Sequence, residues 1–136
     1  MHKIVLTSEQ LKSPFADELA EVSGENVLDC YQCGKCSAGC PLAFAMDLLP
    51  HEVMRMLQLN QEELVLNSKT IWVCVSCLNC QEICPKEIGI PNVMEALRTI
   101  VLRRGEDKVC PDKMSKAFVE DAPQMALVSG MRKFTL

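Results

Sequence analysis

Two cysteine runs with the same spacing constrain this chain more than any other feature. The first begins at Cys30 and the second at Cys74, 44 residues later, and each reads C-x2-C-x2-C-x3-C-P. Together they contain eight of the nine cysteines in a chain of 136 residues. Such dense, repeated thiols are typical of metal ligands, so the repeat predicts two metal sites of the same kind.

The spacing is that of proteins that hold two [4Fe–4S] clusters. Each iron of the cube takes one thiolate, and the amides between the cysteines can donate hydrogen bonds to the cluster sulfurs. Pro41 and Pro85 fix φ and lack an N–H, which turns the chain away from the cube. In such proteins the fourth cysteine of each run ligates the other cluster. This rule predicts one cluster on Cys30, Cys33, Cys36 and Cys84, and a second cluster on Cys74, Cys77, Cys80 and Cys40.

A pair of zinc sites is the main alternative to the clusters. Structural zinc usually takes two C-x2-C pairs that a longer loop separates, and four cysteines within one short run fit that pattern poorly. The ninth cysteine, Cys110, has no companion cysteines nearby. We interpret it as a small buried or incidental residue, or else as a contact or ligand at a partner interface.

Composition and charge exclude several other classes of function. A formal net charge of −4 argues against a strongly basic nucleic-acid binder. No apolar stretch approaches the ~18–20 residues of a spanning helix, and the first residues do not read as a signal peptide. We therefore expect a cytoplasmic protein without direct membrane insertion, whose reduced thiols bind metal. No nucleophile constellation or phosphate loop appears, so we expect no catalytic residues.

Helical periodicity predicts a mainly α fold without a persuasive strand in the central region. Ser13 and Pro14 indicate a helix over 14–22, and Gly24 indicates its end. The other predicted helices are one that Pro50 opens and Asn60 ends, a shorter one around Leu64–Leu66, a third that Ser68 caps before Trp72, and a long one between Pro91 and Gly105. The apolar stripe of this last helix comprises Val93, Met94, Leu97, Ile100 and Val101. Residues 4–6 are expected to form a short extended segment.

The two cysteine runs, separated by a helical spacer, resemble the alpha-helical ferredoxin domain. That domain occurs in the iron–sulfur subunits of fumarate reductase and succinate dehydrogenase, and in the C subunits of anaerobic glycerol-3-phosphate dehydrogenase and heterodisulfide reductase. No cysteine precedes Cys30, as an upstream [2Fe–2S] domain would require, and no Cys-Cys-Gly motif follows. Over 27–105, from Leu28-Asp29-Cys30 through Ile71-Trp72-Val73-Cys74 to the long helix, the chain is similar to the heterodisulfide reductase C subunit.

This resemblance implies an electron-transfer subunit of an oxidoreductase complex. The chain would relay single electrons through two [4Fe–4S] clusters, between a flavin/iron–sulfur A subunit and a B subunit with Cys-Cys-Gly motifs that reduces a disulfide or oxidises a sulfur compound. Two alternatives are the relay of another quinone-linked or dehydrogenase complex, and a free ferredoxin or zinc scaffold. Association with a membrane would come only through a partner.

The same interpretation divides the chain into three segments. Residues 1–26 form an irregular N-terminal arm, 27–105 the ferredoxin domain, and 106–136 an irregular tail that docks a partner. Apolar residues around the second run are expected to keep water off its cluster; they are Val73, Val75, Leu78, Ile83, Ile88 and Ile90. His51 is interpreted as packed or solvated, Trp72 as core, and Lys35 and Lys86 as solvated or as steering an acidic partner.

Overall fold

Helices and short turns make up the computed structural model, which describes residues 7–11, 13–105 and 107–135. The helices are α1 (Ser8–Leu11), α2 (Phe15–Ser23), α3 (Lys35–Ala38), α4 (Pro50–Gln58), α5 (Glu62–Leu66), α6 (Thr70–Val73), α7 (Asn79–Glu82), α8 (Ile90–Arg103), α9 (Lys116–Asp121) and α10 (Gln124–Phe134). Three single 3-10 turns lie at Val27–Asp29, Ala43–Ala45 and Pro111–Lys113. No strand occurs within the described residues. The predicted mainly α fold is confirmed.

The helix boundaries follow the local signals in the sequence. At the start of α2 the Phe15 amide donates a hydrogen bond to Ser13 Oγ at 3.3 Å, and Gly24 ends the helix at φ 72°. Pro50 opens α4, and Gly105, at φ 82°, follows the end of α8. The five predicted stripe residues of α8 are all buried. These signals act locally, so they could be read without knowledge of the tertiary structure.

Two expectations about secondary structure are wrong, and a third is not tested. Ser68 does not cap α6, because Lys69 occupies the N-cap and the Ser68 hydroxyl is buried without a hydrogen-bond partner among the described atoms. The tail that we expected to be irregular contains α9 and α10. The extended segment expected at 4–6 lies outside the described residues.

Residues 1–97 and 98–136 form two compact units. In the first, α2 buries Phe15 and Leu19, although this helix lies in the segment interpreted as an arm. The rest of that core comes chiefly from α4 and α8, through Val53, Met54, Leu57, Val93, Met94 and Leu97. In the second unit, α9 and α10 line an apolar cavity whose empty space, with its open mouth, is about 490 Å³. No helix within the described ranges has the length and apolarity that crossing a bilayer requires.

A carboxylate from the N-terminal segment caps α8. Glu25 Oε2 accepts the Gly89 amide at 3.0 Å, and its Oε1 accepts Asn92 Nδ2 at 3.0 Å. A negative charge at this end of a helix is favourable because the exposed amides and the helix dipole are positive there. A Cβ on Gly89 would displace this carboxylate and the Asn92 amide, so glycine favours the close approach.

Asp47 joins the loop after the first cysteine run to the helix before the second. Its Oδ1 accepts the Thr70 amide at 3.0 Å and the Thr70 hydroxyl at 2.7 Å, while Oδ2 accepts the Lys69 amide at 2.9 Å. The Thr70 hydroxyl oxygen also accepts the Leu48 amide at 3.0 Å. Burial alone would raise the pKa of Asp47, but these hydrogen bonds hold it below its ordinary value. Asp47 therefore caps α6 from a distance, in the role that the sequence assigned to Ser68.

Replacing Asp47 with alanine should destabilise the first unit by about 1–2 kcal/mol, because the first amides of α6 lose their acceptor. The midpoint of thermal unfolding of the holoprotein, measured anaerobically by circular dichroism, checks this. Asp112→Ala is the matched control, since Asp112 is exposed on a separate turn. Equal midpoints for the two variants would show that Asp47 has no capping role.

Candidate metal centre

The two cysteine runs fold into the same backbone conformation. Gln32 and Ser76, at equivalent positions of the repeat, have φ 63° and 51°. Gly34 and Leu78 are likewise equivalent, with φ 77° and 65°. A leucine in this left-handed region costs roughly 1–2 kcal/mol, so the surrounding structure must enforce the turn. Each pair of turns leads into one short helix, α3 in the first run and α7 in the second.

The first cavity takes three cysteines from the first run and one from the second. Its lining includes Cys30, Cys33, Cys36 and Cys84. The empty space between the lining residues, with its open mouth, is about 350 Å³. The other residues of the lining, five of which have polar or charged side chains, are Tyr31, Gln32, Gly34, Lys35, His51, Lys86, Ile88 and Ile90. The surface that they present to the cavity is almost entirely apolar, as it is in the second cavity.

The second cavity has the reciprocal composition. Its four thiols belong to Cys74, Cys77, Cys80 and Cys40. The corresponding empty space is about 410 Å³. The remaining lining is almost entirely apolar and comprises Pro41, Leu42, Met46, Pro50, Val75, Ser76, Ile90, Pro91 and Met94. Ile90 lines both cavities, so the two are neighbours in the first unit.

The thiols within each run differ in how deeply they are buried, and their pKa values differ accordingly. The pKa of Cys36 is raised mainly by burial. Burial, together with the thiolates of Cys74, Cys36 and Cys77, raises the pKa of its repeat equivalent Cys80 to about 12. Cys33 is exposed, and its pKa is lowered chiefly by the Lys35 amide, which donates to its sulfur. Because metal ligation needs thiolates, filling these sites must release protons from the deeper cysteines.

Hydrogen bonds outside the cysteines fix the first run in place. Gln58 of α4 donates from Nε2 to the Cys30 carbonyl at 2.7 Å and to the Val27 carbonyl at 3.0 Å. Gln32 Nε2 donates to Cys30 Sγ at 3.4 Å. Such contacts orient a ligand and tune its basicity. The role of Gln58 could not be read from the sequence, because 28 residues separate it from Cys30.

The helices α3 and α7 pack against each other at equivalent positions of the repeat. Asn79 Nδ2 donates to the Gly39 carbonyl, and a Cβ on Gly39 would collide with Ile83 Cδ1. Gly39 and Ile83 are the C-caps of α3 and α7, with identical φ −90° and ψ 0°. The glycine of one run thus leaves room for the isoleucine of the other, which brings the two runs together.

Other residues singled out in the sequence have mixed outcomes. Trp72 is buried, as expected. His51, interpreted as packed or solvated, lines the first cavity, and its Nδ1 lies 2.7 Å from Ser37 Oγ. Ile88 lies at the first cavity rather than beside the second run. A turn in which the Glu87 amide donates to the Cys84 carbonyl at 3.0 Å precedes it. Cys110 is exposed in the second unit.

The donor set fits a cluster of several metal ions better than it fits one ion. Four thiols surround each cavity, and no three Cys, His, Asp or Glu side chains of the described residues converge closely enough to hold a single metal ion. Thiolates around one zinc ion, at ~2.3 Å from it, would stand only ~3.8 Å apart.

Comparison with known proteins identifies a domain and several relatives. Residues 26–88 match the 4Fe-4S dicluster domain. The iron-sulfur C subunit of the CoB–CoM heterodisulfide reductase of Methanopyrus kandleri is 33% identical over an alignment of 109 residues, which covers 74% of this chain and 57% of that protein. The chain therefore contains a 4Fe-4S dicluster domain and is similar to heterodisulfide reductase C subunits. Two [4Fe–4S] clusters are its cofactors, as the sequence predicted.

Two further heterodisulfide reductase C subunits are similar to this chain. The C2 subunit of the H2/formate:CoB–CoM heterodisulfide,ferredoxin reductase of Methanococcus maripaludis is 29% identical over 123 residues, covering 85% of this chain and 66% of that protein. A second iron-sulfur C subunit, from the CoB–CoM heterodisulfide reductase of Methanocaldococcus jannaschii, is 31% identical, covering 74% of this chain and 58% of that protein. The chain thus spans between 57% and 66% of the length of these relatives.

Gly39→Ala should destabilise the protein by about 1–3 kcal/mol, because the added methyl group displaces Ile83 and Asn79. The penalty should shrink when Ile83→Ala is present, since that substitution removes the side chain that obstructs the Cβ. Thermal unfolding of the four proteins of this double-mutant cycle measures the coupling.

Gly130→Ala is the matched control, because a Cβ at Gly130 in α10 meets nothing within 4 Å. We expect it to be neutral or stabilising. A Gly39→Ala penalty of the same size with and without Ile83 would contradict the proposed close approach.

Proposed function

We propose that this protein is the electron-transfer subunit of a heterodisulfide reductase-like complex. The observation that carries the proposal is a pair of adjacent cavities, each lined by four thiols, in a chain with a 4Fe-4S dicluster domain. When bound, [4Fe–4S] clusters supply one-electron redox chemistry at potentials that the protein tunes. The chain itself breaks no substrate bond in this proposal; it holds two redox centres close together.

The ligand sets are part of the proposal. We infer that Cys30, Cys33, Cys36 and Cys84 hold one cluster and that Cys74, Cys77, Cys80 and Cys40 hold the other. The grouping of the thiols around the two cavities supports this division. Each run then contributes to both clusters, so neither cluster can assemble unless the two runs have met.

The remaining residues of the two cavities would orient ligands and control access of water. Amides and side chains such as those of Lys35 and Gln32 donate to cysteine sulfurs and stabilise the thiolates. Buried apolar residues of the second cavity, such as Pro50, Pro91 and Met94, limit hydration on its inner side, whereas Val75 is exposed. Ile90 separates the cavities with a hydrocarbon side chain rather than a polar group that water would solvate.

Two partner subunits complete the proposed complex. One is a flavin/iron–sulfur A subunit, and the other is a B subunit with Cys-Cys-Gly motifs that reduces a disulfide or oxidises a sulfur compound. The relatives' names, which describe subunits of heterodisulfide reductases, support a multi-subunit assembly. We place the complex in the cytoplasm because ligand thiols stay reduced there, with any membrane contact made through a partner.

The segment 106–136 is proposed as the docking element. Its helices α9 and α10 expose four large apolar side chains, Phe118, Val119, Met125 and Val128. Met125 is 79% exposed, although it carries no charge or strong hydrogen-bonding group. Apolar side chains that stay in solvent on short helices gain free energy when a partner covers them.

The crossed ligand sets predict an interaction between cysteine substitutions. Cys30→Ala and Cys84→Ala should each remove the same cluster. The double variant should therefore have the same iron content as each single variant, which is about four of the roughly eight iron atoms in two clusters. The double variant Cys74→Ala with Cys84→Ala should lose both clusters, because these cysteines belong to different sets. Iron and sulfide analysis after anaerobic purification measures the contents. If the Cys30/Cys84 double variant lost both clusters and the Cys74/Cys84 double variant kept one, each run would ligate its own cluster.

Anaerobic affinity purification of the full chain from its source organism tests the complex. The flavin/iron–sulfur subunit and the Cys-Cys-Gly subunit should co-purify, and Met125→Glu with Val128→Glu should weaken their recovery at least tenfold while the iron content stays unchanged. Lys113→Glu is the matched control on an exposed turn of the same segment. Recovery of a membrane cytochrome or a different dehydrogenase instead would contradict the heterodisulfide reductase assignment.

A further inference from the structure

The two cavities differ in charge at equivalent positions of the repeat. The offset of 44 residues pairs Lys86 with Leu42, and these two residues line the first and the second cavity, respectively. Lys35 is a second cation in the first lining. Its counterpart Asn79 directs its side-chain amide to the Gly39 carbonyl. The internal symmetry of the backbone therefore does not extend to the electrostatics.

The other lining residues bring no carboxylate that would offset these lysines. Tyr31 and His51 belong to the first lining, and no carboxylate belongs to its described part. At the second cavity, the position equivalent to Tyr31 is Val75, which is 60% exposed. Apart from its four cysteines, the described lining of the second cavity has no ionisable side chain.

Reducing a cluster adds one negative charge to its site. A neighbouring ammonium group stabilises that charge, and no ammonium group belongs to the described lining of the second cavity. Lys35 and Lys86 are both exposed, so solvent and salt weaken their influence without abolishing it. Their charge nevertheless favours adding the electron at the first cavity.

We propose that the cluster held at the first cavity has the higher reduction potential, and that Lys86 and Lys35 contribute to the difference. This inference rests on the ligand sets of the proposed function. A single electron on the protein then resides on the first cluster at equilibrium. The energetically favourable direction of transfer within the chain is from the second cavity to the first, so the lysine-bearing rim is where an acceptor subunit would take the electron.

Redox titration of the anaerobic holoprotein, followed by electron paramagnetic resonance at low ionic strength, tests the proposal. Lys86→Leu should lower the higher of the two midpoint potentials and leave the lower one in place. The reciprocal change Leu42→Lys should raise the lower midpoint, which narrows the gap between the clusters. Lys116→Leu is the matched control for the loss of a lysine, because Lys116 lies on α9 in the second unit.

Salt dependence separates a charge effect from a packing effect. The shift caused by Lys86→Leu should shrink between ~10 mM and ~1 M salt, where the screening length falls from ~30 Å to ~3 Å. Lys86→Arg should keep the higher midpoint near its original value, since it retains the charge. If Leu42→Lys prevents assembly of the cluster, Val75→Lys places the charge on an exposed position of the same cavity.

Three outcomes would overturn the proposal: a Lys86→Leu shift in the lower midpoint, an equal shift in both midpoints, or no shift beyond that of Lys116→Leu. Iron content and spin quantification of each variant report separately on the proposed function. A wild-type protein without two clusters would refute the proposed function itself. Two intact clusters with the opposite order of potentials would refute only this inference.

Discussion

The close approach of α3 to α7 is the contact on which the rest of the first unit depends. Each helix is a single turn that could not persist alone, because isolated helices of this length are unstable in water. Gly39 leaves the space that Ile83 fills, and Asn79 closes the contact with a hydrogen bond to the glycine carbonyl. Without this contact, three thiols of one run would not share a cavity with the fourth of the other. The larger helices and the Asp47 junction support this pairing from outside.

The two metal sites share one backbone conformation but differ in the side chains around it. Positive φ angles recur at equivalent positions, even where the second run has Leu78 in place of Gly34. The side chains around that backbone are free to vary, so lysines belong to the lining of the first cavity but not to that of the second. In our proposal this difference gives two redox centres of one chemical type unequal electron affinities. A relay that moves electrons in a preferred direction requires such an inequality.

Local sequence signals predicted much of the fold. The proline and glycine positions around α2, α4 and α8 indicated where these helices begin and end, because capping involves only neighbouring residues. The wrong assignment of Ser68 has an equally clear cause: the carboxylate that caps α6 comes from Asp47, more than twenty residues earlier. The regular helices of the tail were missed because their apolar residues are scattered and largely exposed.

By itself, the sequence determined the cofactor and its eight candidate ligands, because a thiolate pattern of this spacing has few chemical uses and appears twice. It also determined the helical character of the spacer between the runs. Only the tertiary structure decided which side chains surround each set of thiols. The contributions of His51, Gln58, Lys86 and Ile88 to the first site depend on chain reversals and contacts over long sequence separations, which no local pattern encodes. For that reason the order of the two potentials could be inferred only from the folded protein.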